Sequence, residues 1–99
     1  MLKLIVHSDG GHSWLAVKRQ LLVNLNLMNK ISSFSYQKGN TIYLEEDCDA
    51  SIFIDAYLSQ KGIVTSENYR ELFDKSFQIR TSYKDYSPIR RYDQFNKFT

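Results

Sequence analysis

At 99 residues, with 42% hydrophobic and 24% charged residues, the chain has the make-up of one small globular domain with a modest core. Its apolar runs fall far short of the ~20 residues that span a bilayer, and Met1–Val6 lacks a secretory core and cleavage site, so a cytoplasmic protein is expected. The formal net charge of +2 is too small to announce a nucleic-acid binder, and the lone Cys48 excludes an internal disulfide.

The distribution of charge says more than its sum. Residues 1–40 carry Lys3, Lys18, Arg19, Lys30 and Lys38 against Asp9 alone. Residues 41–60 carry Glu45, Glu46, Asp47, Asp49 and Asp55 and no basic residue. From Phe77 onward the chain is again basic, with Arg80, Lys84, Arg90, Arg91 and Lys97. Two readings stand side by side: internal pairing plus a helix N-terminus that welcomes acids, or an acidic binding face.

In chain order, Leu2, Leu4 and Val6 alternate with Lys3, Ile5 and His7, the period of a first strand. Ser8–Gly11 reads as a turn, Trp14–Val17 as a second short strand, and Lys18–Leu27 as a helix that its asparagines end near Leu27 or Met28. Ile31–Tyr36 and Thr41–Leu44 read as hairpin arms around Lys38-Gly39-Asn40. The most apolar helix follows, from roughly Asp49 to Lys61, with Asp47 or Asp49 as its expected N-cap and Lys61-Gly62 as its stop. Thr65-Ser66 opens a short helix over Glu67–Lys75, and Phe77, Ile79, Thr81 and Tyr83 alternate as a last strand. The segment from about Tyr86, with Pro88 and no clean period, is rich in Tyr, Phe and Arg and is expected to lie across the body.

The stretches Gly11-His12-Ser13-Trp14-Leu15-Ala16-Val17, Lys30-Ile31-Ser32-Ser33-Phe34-Ser35-Tyr36-Gln37, Tyr43-Leu44-Glu45-Glu46-Asp47-Cys48-Asp49-Ala50 and Ser87-Pro88-Ile89-Arg90-Arg91-Tyr92 together resemble a family of small, mostly uncharacterised proteins of bacteriophages and other mobile elements. The resemblance covers nearly the whole chain, and the acidic stretch is its most specific part. It carries no catalytic residues. Lys18-Arg19 follows Val17 where the pattern leads one to expect a proline, which puts the start of the first helix in doubt. The resemblance implies a phage-encoded protein that acts by binding a host or phage macromolecule, inhibitors of CRISPR effectors and other bacterial defences being a prominent class.

The chemistry-bearing residues point the same way. His7, Asp9 and His12 surround a glycine turn, but their spacing matches no standard zinc site. Cys48 lies among acids, which oppose the thiolate a nucleophile needs. Those acids lack the glycine-centred loop of a calcium cage. Tyr83, Tyr86, Tyr92 and Phe95 interleave with Arg80, Lys84, Arg90 and Arg91. These are parts for stacking single-stranded nucleic acid, for a protein interface, or simply for a small core.

The expectation is thus a single α+β domain, a mainly antiparallel sheet of about four strands packed on one main helix with one or two shorter helices. It is non-enzymatic, holds no cofactor or metal, and binds a host protein or ribonucleoprotein through Glu45, Glu46, Asp47, Asp49, Tyr86, Arg90, Arg91 and Tyr92. The alternative is a small nucleic-acid-binding module using the basic aromatic C-terminal segment; a metal-dependent enzyme is a weaker third. No membrane partner is expected.

Overall fold

The structure, a computed structural model, describes residues 1–98. Its strands are β1 (Leu2–Ser8), β2 (Ser13–Lys18), β3 (Tyr36–Lys38), β4 (Thr41–Glu45), β5 (Phe77–Tyr83) and β6 (Asp93–Gln94). The helices are α1 (Arg19–Asn24), α2 (Asp49–Ser59) and α3 (Tyr69–Ser76), and a 3-10 turn spans Pro88–Arg91. The strands form one sheet in the order β5-β1-β2-β4-β3-β6. Every neighbouring pair is antiparallel except β1 and β5, which are parallel. The chain leaves β4, runs through α2 and α3 and returns as β5. It therefore re-enters beside β1 in the same direction, as a helical crossover requires.

Period-two alternation decides the faces. Leu4, Leu15, Val17, Ile42, Leu44 and Phe77 point to one side and are buried. There they meet Phe53 and Leu58 of α2, each fully buried, a burial worth about 1.5–3 kcal/mol per side chain. Phe77 is the hub: its ring lies 5.0 Å from Tyr57 and 5.1 Å from Phe73, so both α2 and α3 are pinned to the start of β5.

The opposite face carries Ile5, His7, Trp14, Ala16, Tyr43 and Tyr36, and the C-terminal segment covers part of it. Ser87 caps the 3-10 turn by accepting from the Ile89 amide, with Pro88 just inside where no amide is needed. Ile89 is buried, and Tyr92 lies 5.3 Å from the Tyr43 ring. Trp14, 2% exposed, is buried on this face beneath the segment.

The single α+β domain agrees with expectation; the sheet is larger and mixed. Six strands stand where about four were expected, β6 being only two residues long and so without a sequence pattern, and the sheet is mixed because the helical crossover sets β5 parallel to β1. The expected hairpin arm from Ile31 is strand only from Tyr36. The hairpin pairs Lys38 with Thr41, so its loop is Gly39-Asn40, and Gly39 takes a φ of 59°. Residues 31–35 instead curl around Asp49. Helix α1 stops at Asn24 rather than near Leu27, because Asn26 adopts a left-handed φ of 59°. The Asn26 and Leu27 amides then donate to the carbonyls of Val23 and Leu22, a Schellman closure with asparagine in glycine's place.

Candidate functional site: an aromatic cleft beside an acidic turn

Strands β1 and β4 run parallel to each other on either side of β2, so the turns that leave them lie at the same end of the sheet. Register places His7 opposite Trp14 and Trp14 opposite Glu45. Next to this row is a cleft of about 410 Å³. Its walls come from four separate segments: His12 and Trp14, then Phe34 and Tyr36, then Glu45, Asp47 and Cys48, and finally Arg90. These walls fall within the stretches Gly11–Val17, Lys30–Gln37, Tyr43–Ala50 and Ser87–Tyr92.

Packing fixes most of the walls. Tyr36 meets Trp14 edge-on at 6.2 Å, His12 lies 5.9 Å from Trp14, and the Arg90 guanidinium stands 5.6 Å over the indole. Arg90 is held there by Asp9, with Nε donating to Oδ2 at 2.6 Å and Nη2 to Oδ1 at 2.9 Å. The Asp9 carboxylate also accepts from the Gly11 and His12 amides, each at 3.0 Å. The Arg90 guanidinium, joined by those amides, holds the Asp9 carboxyl far below the usual carboxylate range. A Cβ at position 11 would stand 3.2 Å from Arg90 Nη2, so glycine there lets the guanidinium approach the turn.

Phe34 is the exception among the aromatics. Its side chain is 69% exposed at the cleft rim, between serines that are committed to other work. Ser32 and Ser35 both donate to Asp49 Oδ2, as does the Ser32 amide at 3.0 Å. Ser35 Oγ in turn accepts from the Glu45 amide, and its carbonyl accepts from the Phe95 amide. This buried junction locks the loop carrying Phe34 to the start of α2.

The acidic residues therefore divide. Asp49 is 1% exposed and engaged by that junction, so the expectation that it belongs to an outward-facing group is corrected: it is a structural carboxylate. Nor do Asp47 or Asp49 cap α2; the N-cap is Cys48, with no side-chain bond. Glu45 is half-buried, and its Oε2 accepts from the Asp47 and Cys48 amides, closing the turn. Glu46 and Asp47 are exposed. Among the described residues, the ion pairs are Arg70–Asp74, Lys75–Glu71 and Arg90–Asp9, so none of the molecule's own cations pairs with the acidic turn.

The C-terminal residues divide as well. Arg90 and Tyr92 are half-buried and tied inward, Tyr92 against Tyr43 and under the Lys38 ammonium at 4.8 Å. Phe95 is buried in the core. Tyr86 is 57% exposed, with the exposed Arg91 guanidinium 5.6 Å from its ring. Of the expected site residues, then, the structure leaves Glu46, Asp47, Tyr86 and Arg91 open, and brings Glu45 and Arg90 to the cleft.

His7, His12 and Cys48 do not converge. His7 faces Tyr43 edge-on at 5.7 Å, and burial together with the charge of Lys84 lowers its pKa. Among the described residues, no group of three His, Cys, Asp or Glu side chains is placed to hold a metal ion. Sequence reasoning weighed His12 as a metal ligand and Phe34 and Tyr36 as hairpin residues, and did not bring the three to one cleft. The available signal was an aromatic set among serines, which cannot all satisfy a strand period.

Among the described residues, no helix is long and apolar enough to cross a membrane. Comparison with protein-family models, with curated proteins and with solved structures finds no match.

Proposed function

We propose that this protein is a non-enzymatic, phage-encoded binding protein that acts in the bacterial cytoplasm on a host protein or ribonucleoprotein. One observation carries the reading: Asp47 stands exposed in the wall of a cleft whose rim aromatic, Phe34, is also exposed, and its neighbour Glu46 is exposed on the other side of the turn, at the groove between α2 and the sheet, with no cation among the described residues paired to either. A basic surface is the complement of that arrangement. Unpaired carboxylates steer it in, and an exposed ring accepts a guanidinium or ammonium face-on. The resemblance to phage proteins suggests inhibition of a bacterial defence complex as the consequence of that binding.

Cys48 supplies the test, because it is the only cysteine and lies exposed in the cleft. Host ribonucleoprotein fractions that bind the protein should slow alkylation of Cys48. Glu46→Lys with Asp47→Lys should abolish both the binding and the protection. Binding that survives the charge reversal at physiological salt removes the acidic turn from the proposal.

The exposed Tyr86–Arg91 pair favours a second reading, a nucleic-acid-binding module. Its mark is oligonucleotide affinity that falls steeply with salt and is lost in Arg91→Ala. A titration flat even at low salt disposes of it.

A further inference from the structure

The two edges of the sheet differ sharply. One is β6, two residues long and carrying Asp93, a blunted edge of the kind that resists pairing. The other is β5, seven residues long, with no proline and, among the described residues, no strand beyond it. The Lys84 amide donates to the Ser8 carbonyl at 3.0 Å, extending the ladder between β1 and β5. Backbone groups alternate along a strand, so the even-numbered residues of β5 face β1. The N–H and C=O groups of Ile79, Thr81 and Tyr83 face outward.

We infer that β5 pairs antiparallel with β5 of a second copy, joining two six-stranded sheets across a twofold axis at Thr81. That register sets Thr81 against itself, Ile79 against Tyr83 of the second copy, Arg80 against Ser82, and Gln78 against Lys84. Each residue with outward groups meets another, and no like charges face. An axis at Arg80 would set two guanidinium groups opposite each other, which is destabilising. An axis at Ile79 would press the end of α3 at Ser76 against Ser82 of the other copy. The register at Thr81 uses the half of the strand farthest from that helix.

The side chains support the same occupant. Ile79, Thr81 and Tyr83 point to the helix side of the sheet, as their partners Leu4, Val6 and Ser8 do. On that side, a mostly apolar groove of about 210 Å³ runs between α2 and the sheet, lined by Val6, Leu15, Ala50, Ile54 and Ile79, with Trp14, Ser13 and Glu46 completing its walls. Tyr83 is 61% exposed in the single chain. In the dimer, each Tyr83 is placed directly across from the other copy's Ile79, beside its groove. A twofold pairing thus supplies an aromatic side chain to each apolar groove.

The experiment is mass by light scattering and sedimentation on the full chain, from micromolar to millimolar concentration. Wild-type protein should double in mass as concentration rises. Thr81→Pro should remain a monomer with an unchanged fold by circular dichroism, since proline at 81 removes only an outward-facing amide, which an edge strand tolerates. Tyr83→Ala should weaken association by about tenfold, because twofold symmetry removes two cross-strand pairs at once. A wild-type protein that stays monomeric throughout overturns the inference, including the case where the edge becomes protected only on addition of another protein. So does a dimer that persists undiminished in Thr81→Pro.

Discussion

The turns after β1 and β4 lie at the same end of the sheet, and both are acidic, yet they do opposite things. Asp9 spends both carboxylate oxygens on Arg90 and on the turn's own amides. Its charge is consumed in fastening the C-terminal segment over Trp14. The turn from Glu45 to Asp49 spends only its two ends: Glu45 closes the turn and Asp49 anchors the serine loop, while Glu46 and Asp47 remain exposed between them. An acid count therefore says little about a binding surface. What matters is how many carboxylates are left after the local amides, hydroxyls and cations are satisfied.

The sharpest way to break this comparison is at its structural members. Asp49→Ala should cost about 3 kcal/mol in urea unfolding, because it strands two serine hydroxyls and an amide at a buried junction. Asp49→Asn, which keeps an acceptor, should cost less. A neutral Asp49→Ala would mean that the serine loop is held by something else.

Asp9 should show itself through pH. Its folded pKa is depressed, so the stability it contributes is fully present above the unfolded carboxyl pKa of about 3.9 and is lost as pH falls below it toward the folded value. Stability should be insensitive to this group at neutral pH and drop in acid. Asp9→Asn should flatten that acid limb while lowering the neutral plateau. Trp14 is the only tryptophan and is nearly fully buried beneath Arg90, so release of the segment should redden its fluorescence. An unshifted emission in Asp9→Asn would show that Ile89 and Tyr92 hold the segment without the clamp.

Much of this architecture is legible in the sequence, and the exceptions have physical reasons. Helix α2 and strands β1, β2, β4 and β5 follow from their apolar periods. The parallel contact of β5 with β1 does not, because pairing across the crossover leaves no local trace. The serines at 32 and 35 look like strand residues until Asp49, 17 residues away from Ser32, claims them. Within the site, the acidic turn is visible as a run of like charge, but its division into used and unused carboxylates depends on amide directions that composition cannot encode. Arg90 reads as a free cation beside aromatics; only its partner Asp9, 81 residues earlier in the chain, turns it into a clamp.

The smallest effects on stability should fall where the proposed function lies. Glu46→Lys with Asp47→Lys should change unfolding free energy by less than about 1 kcal/mol, the part that a few exposed charges near a helix N-terminus contribute. Phe34→Ala should change it by no more than about 0.5 kcal/mol, since the ring is 69% exposed and buries little against its own chain. If Phe34 is a contact residue, the same substitution should weaken partner binding by at least about tenfold, in the range of an interface hot spot. A ring that costs nothing to remove from the fold but much to remove from the complex is placed for the partner. If Phe34→Ala leaves both unchanged, the cleft loses its aromatic contact, and the carboxylates of Glu46 and Asp47 must carry recognition alone.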